Sequence, residues 1–419
     1  MTEPATPPTG LRAYAAVTAA YWAFMLSDGA LRMLVLLHFN SLGFTPIQLA
    51  WLFLLYEIAG IVTNLGAGWL AARFGLAATL YAGLGLQVAA LVALAQLDPA
   101  WGVAASVAFV MAVQGVSGVA KDLAKMSSKS AVKLLAPSGD GGLFRWVALL
   151  TGSKNAVKGL GFFLGAALLA LAGFRPAIWG MAAMLALILL AVVLFLPAGL
   201  PGRIKAEDAW GGWRSQDPRI NRLSLARMFL FGARDVWFVV GVPVYFQMVL
   251  SDGTPEGRRA AFFVIGSFLA LWIIGYGAVQ AAAPRILGGK GQSLAASTSK
   301  AILWAGLLVP IPFLLAAAAY WGGPPGPVLT GTLIAGLLVF GFVFAVNSSV
   351  HSYLILAFGD ARRITRDVGF YYMANAAGRL IGTLLSGVSY QIGGLPLCLA
   401  TAGVMATLGW GAVARLRQT

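Results

Sequence analysis

Lysines set four residues apart are the most chemically loaded pattern in this chain. Lys121, Lys125, Lys129 and Lys133 recur at that spacing, and beyond the break Pro137-Ser-Gly-Asp-Gly-Gly142 the pair Lys154 and Lys158 repeats it. Residues four apart share one broad face of a helix, so a helical hairpin carries ammonium groups on both arms. Three arginines, Arg32, Arg234 and Arg379, and three acids, Asp28, Glu57 and Asp235, interrupt otherwise apolar runs elsewhere. Charges in such surroundings are expensive unless they face one another or a wet cavity. Their excess of positive sign suggests a path for something negatively charged.

The elements that must position these groups are membrane helices. Of 419 residues, 59% are hydrophobic and 10% charged, with a mean hydropathy of +0.83. A soluble domain carries about 25% charged residues, so an integral membrane protein is expected. The polar, Pro-rich start MTEPATPPTGLR is followed by no short apolar core with a small-residue cleavage site, so the first span is expected to stay. With about 20 apolar residues needed per span, twelve spans are read at roughly 13–39, 46–72, 76–97, 101–122, 146–172, 176–197, 223–249, 260–284, 298–320, 327–357, 367–392 and 396–414. The polar stretch 198–222 divides them, giving an N-terminal six-helix bundle at 1–197, a cytoplasmic linker at 198–222 and a C-terminal six-helix bundle at 223–419.

The formal net charge of +15 is read as the positive-inside bias of a membrane protein rather than as a nucleic-acid footprint. On this reading the outer loops hold only Arg175, Arg258 and Arg259, whereas inner loops, tails and helix ends hold most of the 29 Lys and Arg. Both termini are therefore expected in the cytoplasm. Cys398 is alone and His38 and His351 are the only histidines, so neither a disulfide nor a metal or haem site is expected.

The two halves also align with each other. Phe24-Met-Leu-Ser-Asp28 corresponds to Phe231-Gly-Ala-Arg-Asp235 at a constant offset, and His38-Phe39 then meets Tyr245-Phe246. Lys158-Gly-Leu-Gly161 matches Arg379-Leu-Ile-Gly382. Matches at corresponding places in two six-span halves point to a duplicated transporter with its site between the halves.

Gly68-Trp-Leu-Ala-Ala-Arg73-Phe-Gly75 resembles the Gly-x-x-x-Asp-Arg-x-Gly loop motif of the major facilitator superfamily, with Ala72 in place of the Asp. Asn375-Ala-Ala-Gly-Arg379-Leu-Ile-Gly382 resembles the small-residue and Arg pattern of that family's eleventh span. More narrowly, YWAFMLSDGALRMLVLLHF, SGVAKDLAKMSSKSAVKLL, RWVALLTGSKNAVKGLGFFLG and FLFGARDVWFVVGVPV are similar to the ArsJ organoarsenical efflux permeases. That resemblance implies a bacterial inner-membrane protein exporting 1-arseno-3-phosphoglycerate. Glyceraldehyde-3-phosphate dehydrogenase, its functional partner, makes this ester when arsenate replaces phosphate. The expected protein is a monomer in lipid, with no cofactor, no nucleic acid and no enzymatic activity of its own.

Such a substrate carries several negative charges and needs several cationic donors in a confined cavity. Depth along the helices, at 1.5 Å per residue, places Asp28, Glu57, Lys158, Asp235 and Arg379 near the midplane. Arg32 and Arg234 are expected to clamp the oxyanions from spans 1 and 7, with Lys158 and Arg379 facing them from spans 5 and 11. Lys121 and Lys154 would draw substrate inward, and Lys125, Lys129 and Lys133 would line a cytoplasmic vestibule. Asn155, Asn347, Tyr371 and Asn375 could add neutral hydrogen bonds or simply join helices. Asp28, beside Arg32, and Asp235, beside Arg234, are expected to neutralise those neighbours, or one acid exchanges a proton with substrate and gives proton antiport. Glu57 best fits the second role, because its own helix offers no cation at i±3 or i±4 and nearby glycines leave it open to a cavity. An organophosphate/phosphate antiporter would use the same cationic cleft. A lipid-linked transferase would need carboxylates or a metal motif at a membrane surface, which these short loops cannot hold.

Overall fold

The computed structural model describes residues 8–135, 142–196, 215–288, 293–358 and 364–418. At 8–14, 65–74, 76, 129–135, 142–152, 364–366 and 417–418 it describes the backbone alone. The first half comprises α1 (Pro8–Ser41), α2 (Pro46–Leu52) with α3 (Leu54–Phe74), α4 (Leu76–Ala95), α5 (Val103–Leu135), α6 (Gly142–Ala172) and α7 (Phe174–Phe195). In the second half come α8 (Pro218–Val236), a π-helical turn at Trp237–Gly241, and α9 (Val242–Leu250), which together form one span. They are followed by α10 (Pro255–Ile286), α11 (Leu294–Leu308) with α12 (Pro310–Trp321), α13 (Pro327–Phe358) and α14 (Ile364–Ala414).

Eleven helical segments among the described residues are long and apolar enough to cross a membrane. The last, α14, has 51 residues. Straight, it would run to about 75 Å, more than twice a hydrocarbon core. It folds back at Gly393 and Gly394, the latter at φ 60° and ψ −157°, a conformation open to glycine and closed to side chains. That bend falls where the sequence separates spans eleven and twelve. The result is the twelve-helix arrangement in two pseudo-symmetric halves. Most of the stretch read as the linker, and the break at Pro137, lie outside the described residues.

Proline explains two interruptions. Pro310 separates α11 from α12, since its nitrogen has no proton to donate to the preceding turn. Pro243 opens α9, and the chain before it widens into the π turn. The N–H groups of Val240 and Gly241 in that turn donate to Ser386 Oγ of α14, at 3.2 and 3.1 Å. α8 is thereby pinned to α14 one turn beyond Asp235.

The first and seventh spans are the most buried of the set, and α7 is the least. Leu171, Leu187, Phe195 and Leu314 stand exposed, as an apolar face toward acyl chains requires. Within each half, a glycine presses the acid-bearing helix onto a cation-bearing one. A methyl on Gly29 of α1 would lie 2.6 Å from the Lys158 carbonyl oxygen on α6. One on Gly382 of α14 would lie 2.7 Å from the Gly232 carbonyl oxygen and 2.9 Å from Asp235 Cβ on α8. Small residues at those crossings let the backbones approach closely.

Candidate functional site

The close crossings determine which charges meet. Asp28, on α1 opposite Gly29's partner helix, receives Lys158 Nζ at 2.8 Å and the Tyr56 hydroxyl at 2.5 Å. All three belong to the first half. In the second half Asp235 accepts from Arg234 Nε at 2.5 Å, and Arg379 Nε lies 3.5 Å from its other oxygen, an ion pair without a hydrogen bond. The sequence repeat thus reappears as contacts: Asp28 with Lys158, and Asp235 with Arg379.

Glu57 joins the halves. Its Oε1 accepts from Arg32 Nη1 at 3.1 Å and from Arg379 Nη2 at 2.5 Å. This corrects two expectations. Asp28 does not neutralise Arg32, which swings to Glu57 on α3 and lies over the Phe53 and Tyr56 rings at 4.9 and 5.6 Å. Glu57 is wholly buried rather than open to a cavity. A search within its own helix could not find its partners, because both cations come from other spans.

Lys121 is also buried, its ammonium 4.0 Å from the centre of the Tyr56 ring, and it makes no ion pair with a described carboxylate. Among the described residues, five cations therefore gather here (Arg32, Lys121, Lys158, Arg234, Arg379) against three carboxylates (Asp28, Glu57, Asp235); Asp122, beside Lys121, is taken up by Lys125, so the excess is two. Exposure divides them by sign. The acids' side chains are 1–2% exposed, whereas Arg32, Lys158, Arg234 and Arg379 are 11–19% exposed. The carboxylates stand behind and the cations in front. Arg32 Nη2 and Arg379 Nε are buried donors with no acceptor, so the cluster has hydrogen bonds left to give.

The other predicted residues spread outward. Lys125 is held by Asp122 at 2.8 Å and Asn64 at 2.7 Å, and Asp122 also receives Thr63 Oγ1 at 2.5 Å. Lys129 and Lys133 continue along α5, their side chains outside the description. Lys154, one turn before Lys158, is half-buried. Asn155 donates to Gln280 of α10 at 3.2 Å, bridging the halves. His38 stacks on Phe174, ring centres 3.9 Å apart. Asn347 and His351 line a small pocket with Ala226, Leu230 and Trp410.

Asp122 and Arg227 are among the buried charged residues that escaped the sequence reading. Asp122 sits beside Lys121 and was hidden by the lysine series. Arg227, counted with the inner helix ends, is only 5% exposed. Asn375 Oδ1 accepts from its Nε at 3.1 Å and Ser348 from its Nη1 at 2.8 Å, while Tyr371 packs 5.1 Å from the guanidinium. Two of the proposed neutral ligands therefore serve Arg227. Its apolar neighbours on α8 alone could have flagged it.

A helical membrane protein with two related bundles and a charge cluster between them is a transport protein rather than an enzyme. The Major Facilitator Superfamily model matches residues 17–331, and the chain belongs to that family. No curated protein matches it. Among solved structures it is similar to a POT family transporter in complex with 5-aminolevulinic acid, at 16% identity and a TM-score of 0.73, covering 97% of this chain and 96% of that one. It is likewise similar to the nucleoside transporter NupG, at 15% identity and a TM-score of 0.69, over 97% and 99% of the two chains. At such identities these likenesses speak for the fold alone.

Proposed function

We propose that this transporter exports a small organic polyanion, 1-arseno-3-phosphoglycerate, and so confers resistance to arsenate. One observation carries the anion: the central cations stand in front of sealed carboxylates, with a surplus of positive charge. An unneutralised buried cation is costly, and an incoming anion offsets that cost while accepting the free donors of Arg32 and Arg379. Arsenic itself enters from the resemblance of the four segments to the ArsJ permeases.

In this reading the protein lies in a bacterial inner membrane with both termini in the cytoplasm. The bundles 1–197 and 223–419 rock about the site, joined by 198–222. Arg32, Arg234, Lys158 and Arg379 bind the tetrahedral groups, and Lys121 and Lys154 lead to them from the vestibule of Lys125, Lys129 and Lys133. Asp28, Glu57 and Asp235 hold the cations until substrate arrives, and proton antiport would run through one of them. Cells expressing this protein with and without glyceraldehyde-3-phosphate dehydrogenase, challenged with arsenate, test the cargo. Resistance and lowered cell arsenic are expected only with both proteins. Resistance to arsenite alone would overturn the reading, and robust import of glycerol phosphates would favour the organophosphate antiporter.

A further inference from the structure

Arg227 is a buried cation that nothing in the foregoing site uses. Its hydrogen-bond partners are neutral: Asn375 Oδ1 at Nε, and the Ser348 carbonyl and hydroxyl oxygens at Nη1, 3.1 and 2.8 Å away. Ser348 is itself held by Gln280 Nε2 at 3.2 Å. No described carboxylate pairs with Arg227, unlike Arg32, Arg234 and Arg379. Neutral acceptors orient a guanidinium but do not cancel its charge, so the position is balanced only when an anion comes to it. Neither Nε nor Nη1 is free, which leaves Nη2 to meet a ligand.

Its location gives the second half of the case. Arg227 and Arg234 are two helical turns apart on α8, and both guanidiniums pack over the intervening Phe231, 4.1 and 4.9 Å from the ring centre. The two charged centres can therefore be no more than about 9 Å apart, by the reach of those two contacts to one ring. An extended chain advances about 1.2 Å per bond, so two tetrahedral groups joined through a three-carbon diester stand about 7 Å apart. Arg234 already faces the charge cluster, and its partner toward the inner end has no carboxylate to satisfy it.

We propose that Arg227 and Arg234 form a two-pole receptor, in which Arg227 takes the second acidic group of the cargo. The site then selects short organic anions that carry an acidic group at each end over those that carry one. This rests on the reading of the centre as an anion site, and adds the residue that sets the cargo's length and charge.

Binding to the full chain in lipid nanodiscs tests it with two stable probes. 3-Phosphoglycerate carries a phosphate and a carboxylate; glycerol 3-phosphate carries the phosphate alone. The wild type is expected to prefer the first by about tenfold or more, the worth of one charge-assisted hydrogen bond. Arg227→Gln abolishes the preference by weakening 3-phosphoglycerate alone, and Arg227→Lys restores part of it. If Arg227→Gln weakens both probes equally, or leaves their ratio unchanged, the proposal is overturned. Should that variant not fold, Asn375→Ala keeps the charge but removes the acceptor that orients Nε, and an undiminished ratio there overturns it as well. A wild type that binds glycerol 3-phosphate without gain from the carboxylate removes the role of Arg227 and leaves the anion transporter standing. Binding of neither probe removes both.

Discussion

Corresponding acids in the two halves are wired differently. Asp28 is satisfied inside its own bundle, by Lys158 at 2.8 Å and Tyr56 at 2.5 Å. Asp235 has only its sequence neighbour Arg234 and a longer 3.5 Å approach from Arg379. Arg379 occupies the position of Lys158 in the repeat, yet its short bond crosses to Glu57 of the other half at 2.5 Å. The same acid–cation pair stands in both halves, and in the second the cation's short bond crosses the interface. A pair inside one rigid bundle can survive rocking of the halves. A pair between bundles must stretch or break if the halves rock as proposed, so that motion would act first on Glu57–Arg379.

The largest effect is therefore expected at Glu57. Glu57→Gln leaves Arg32 and Arg379 facing each other without their shared carboxylate. Removing one partner of a buried pair costs about 3–5 kcal/mol. The melting temperature of the purified protein should fall, and ester transport in vesicles should drop to background. A variant that melts and transports like wild type would remove Glu57 from both roles. If Glu57 also exchanges the coupled proton, a Gln variant that still transports will no longer acidify or alkalinise the vesicle as it does so.

Next is the self-contained pair. Asp28→Asn strands the Lys158 ammonium and Lys158→Met strands the Asp28 carboxylate, each a loss of about 3–5 kcal/mol. The double variant should be markedly milder than the sum, because neither charge is then left alone. Its stability should recover while transport does not, since Lys158 also faces the accessible side. Additive losses in the double variant would mean that the two side chains act independently. Recovered transport would mean that Lys158 serves structure only.

How far all this was legible in the sequence follows from the range of each signal. Spans, halves and the acid–cation repeat are written as local apolar runs and a constant offset, and each was readable. The join between spans eleven and twelve was readable too, because Gly393-Gly394-Leu-Pro396 breaks a helix by its own chemistry. Pairing between spans was not. Nothing near Glu57 announces Arg379, 322 residues away, and nothing near Asp28 favours Lys158 over the closer Arg32. Those choices depend on which crossings Gly29 and Gly382 permit. Arg227 was missed for a related reason: a cation near a helix end reads as solvated until the helix beside it is known.

Tyr56 gives a smaller test of the same contrast. Its hydroxyl donates to Asp28, and its ring lies under Lys121. Tyr56→Phe keeps the ring and removes one hydrogen bond to a charged acceptor, about 1.5–3 kcal/mol. Melting temperature should fall modestly with Lys121 still seated. A loss as large as that of Asp28→Asn would show that the hydroxyl, rather than Lys158, holds the carboxylate.

The smallest expected effect concerns a place where the repeat meets itself. Asn40 Nδ2 donates to Gln247 Oε1 at 2.6 Å, and the offset that aligns Asp28 with Asp235 also aligns these two residues. Equivalent residues can touch only on the axis that relates the halves, so this bond marks where α1 and α9 converge at the end opposite the lysine series. Ile47 N–H donates to Gln391 Oε1 at 3.2 Å at the same end, a second tie between bundles. The proposed rocking of the bundles requires that end to part. A neutral, partly buried bond contributes about 0.5–1.5 kcal/mol, so Asn40→Ala should enrich the parted state about two- to tenfold without unfolding either bundle. Spin labels at Leu42→Cys and Ser251→Cys, in a Cys398→Ala background, read that population as a longer distance. Glu57→Gln loosens the centre and should lengthen the same distance more, whereas Tyr56→Phe, acting within one bundle, should leave it unchanged. An equal response to Tyr56→Phe and Asn40→Ala would erase the distinction between bonds inside a bundle and bonds across the axis.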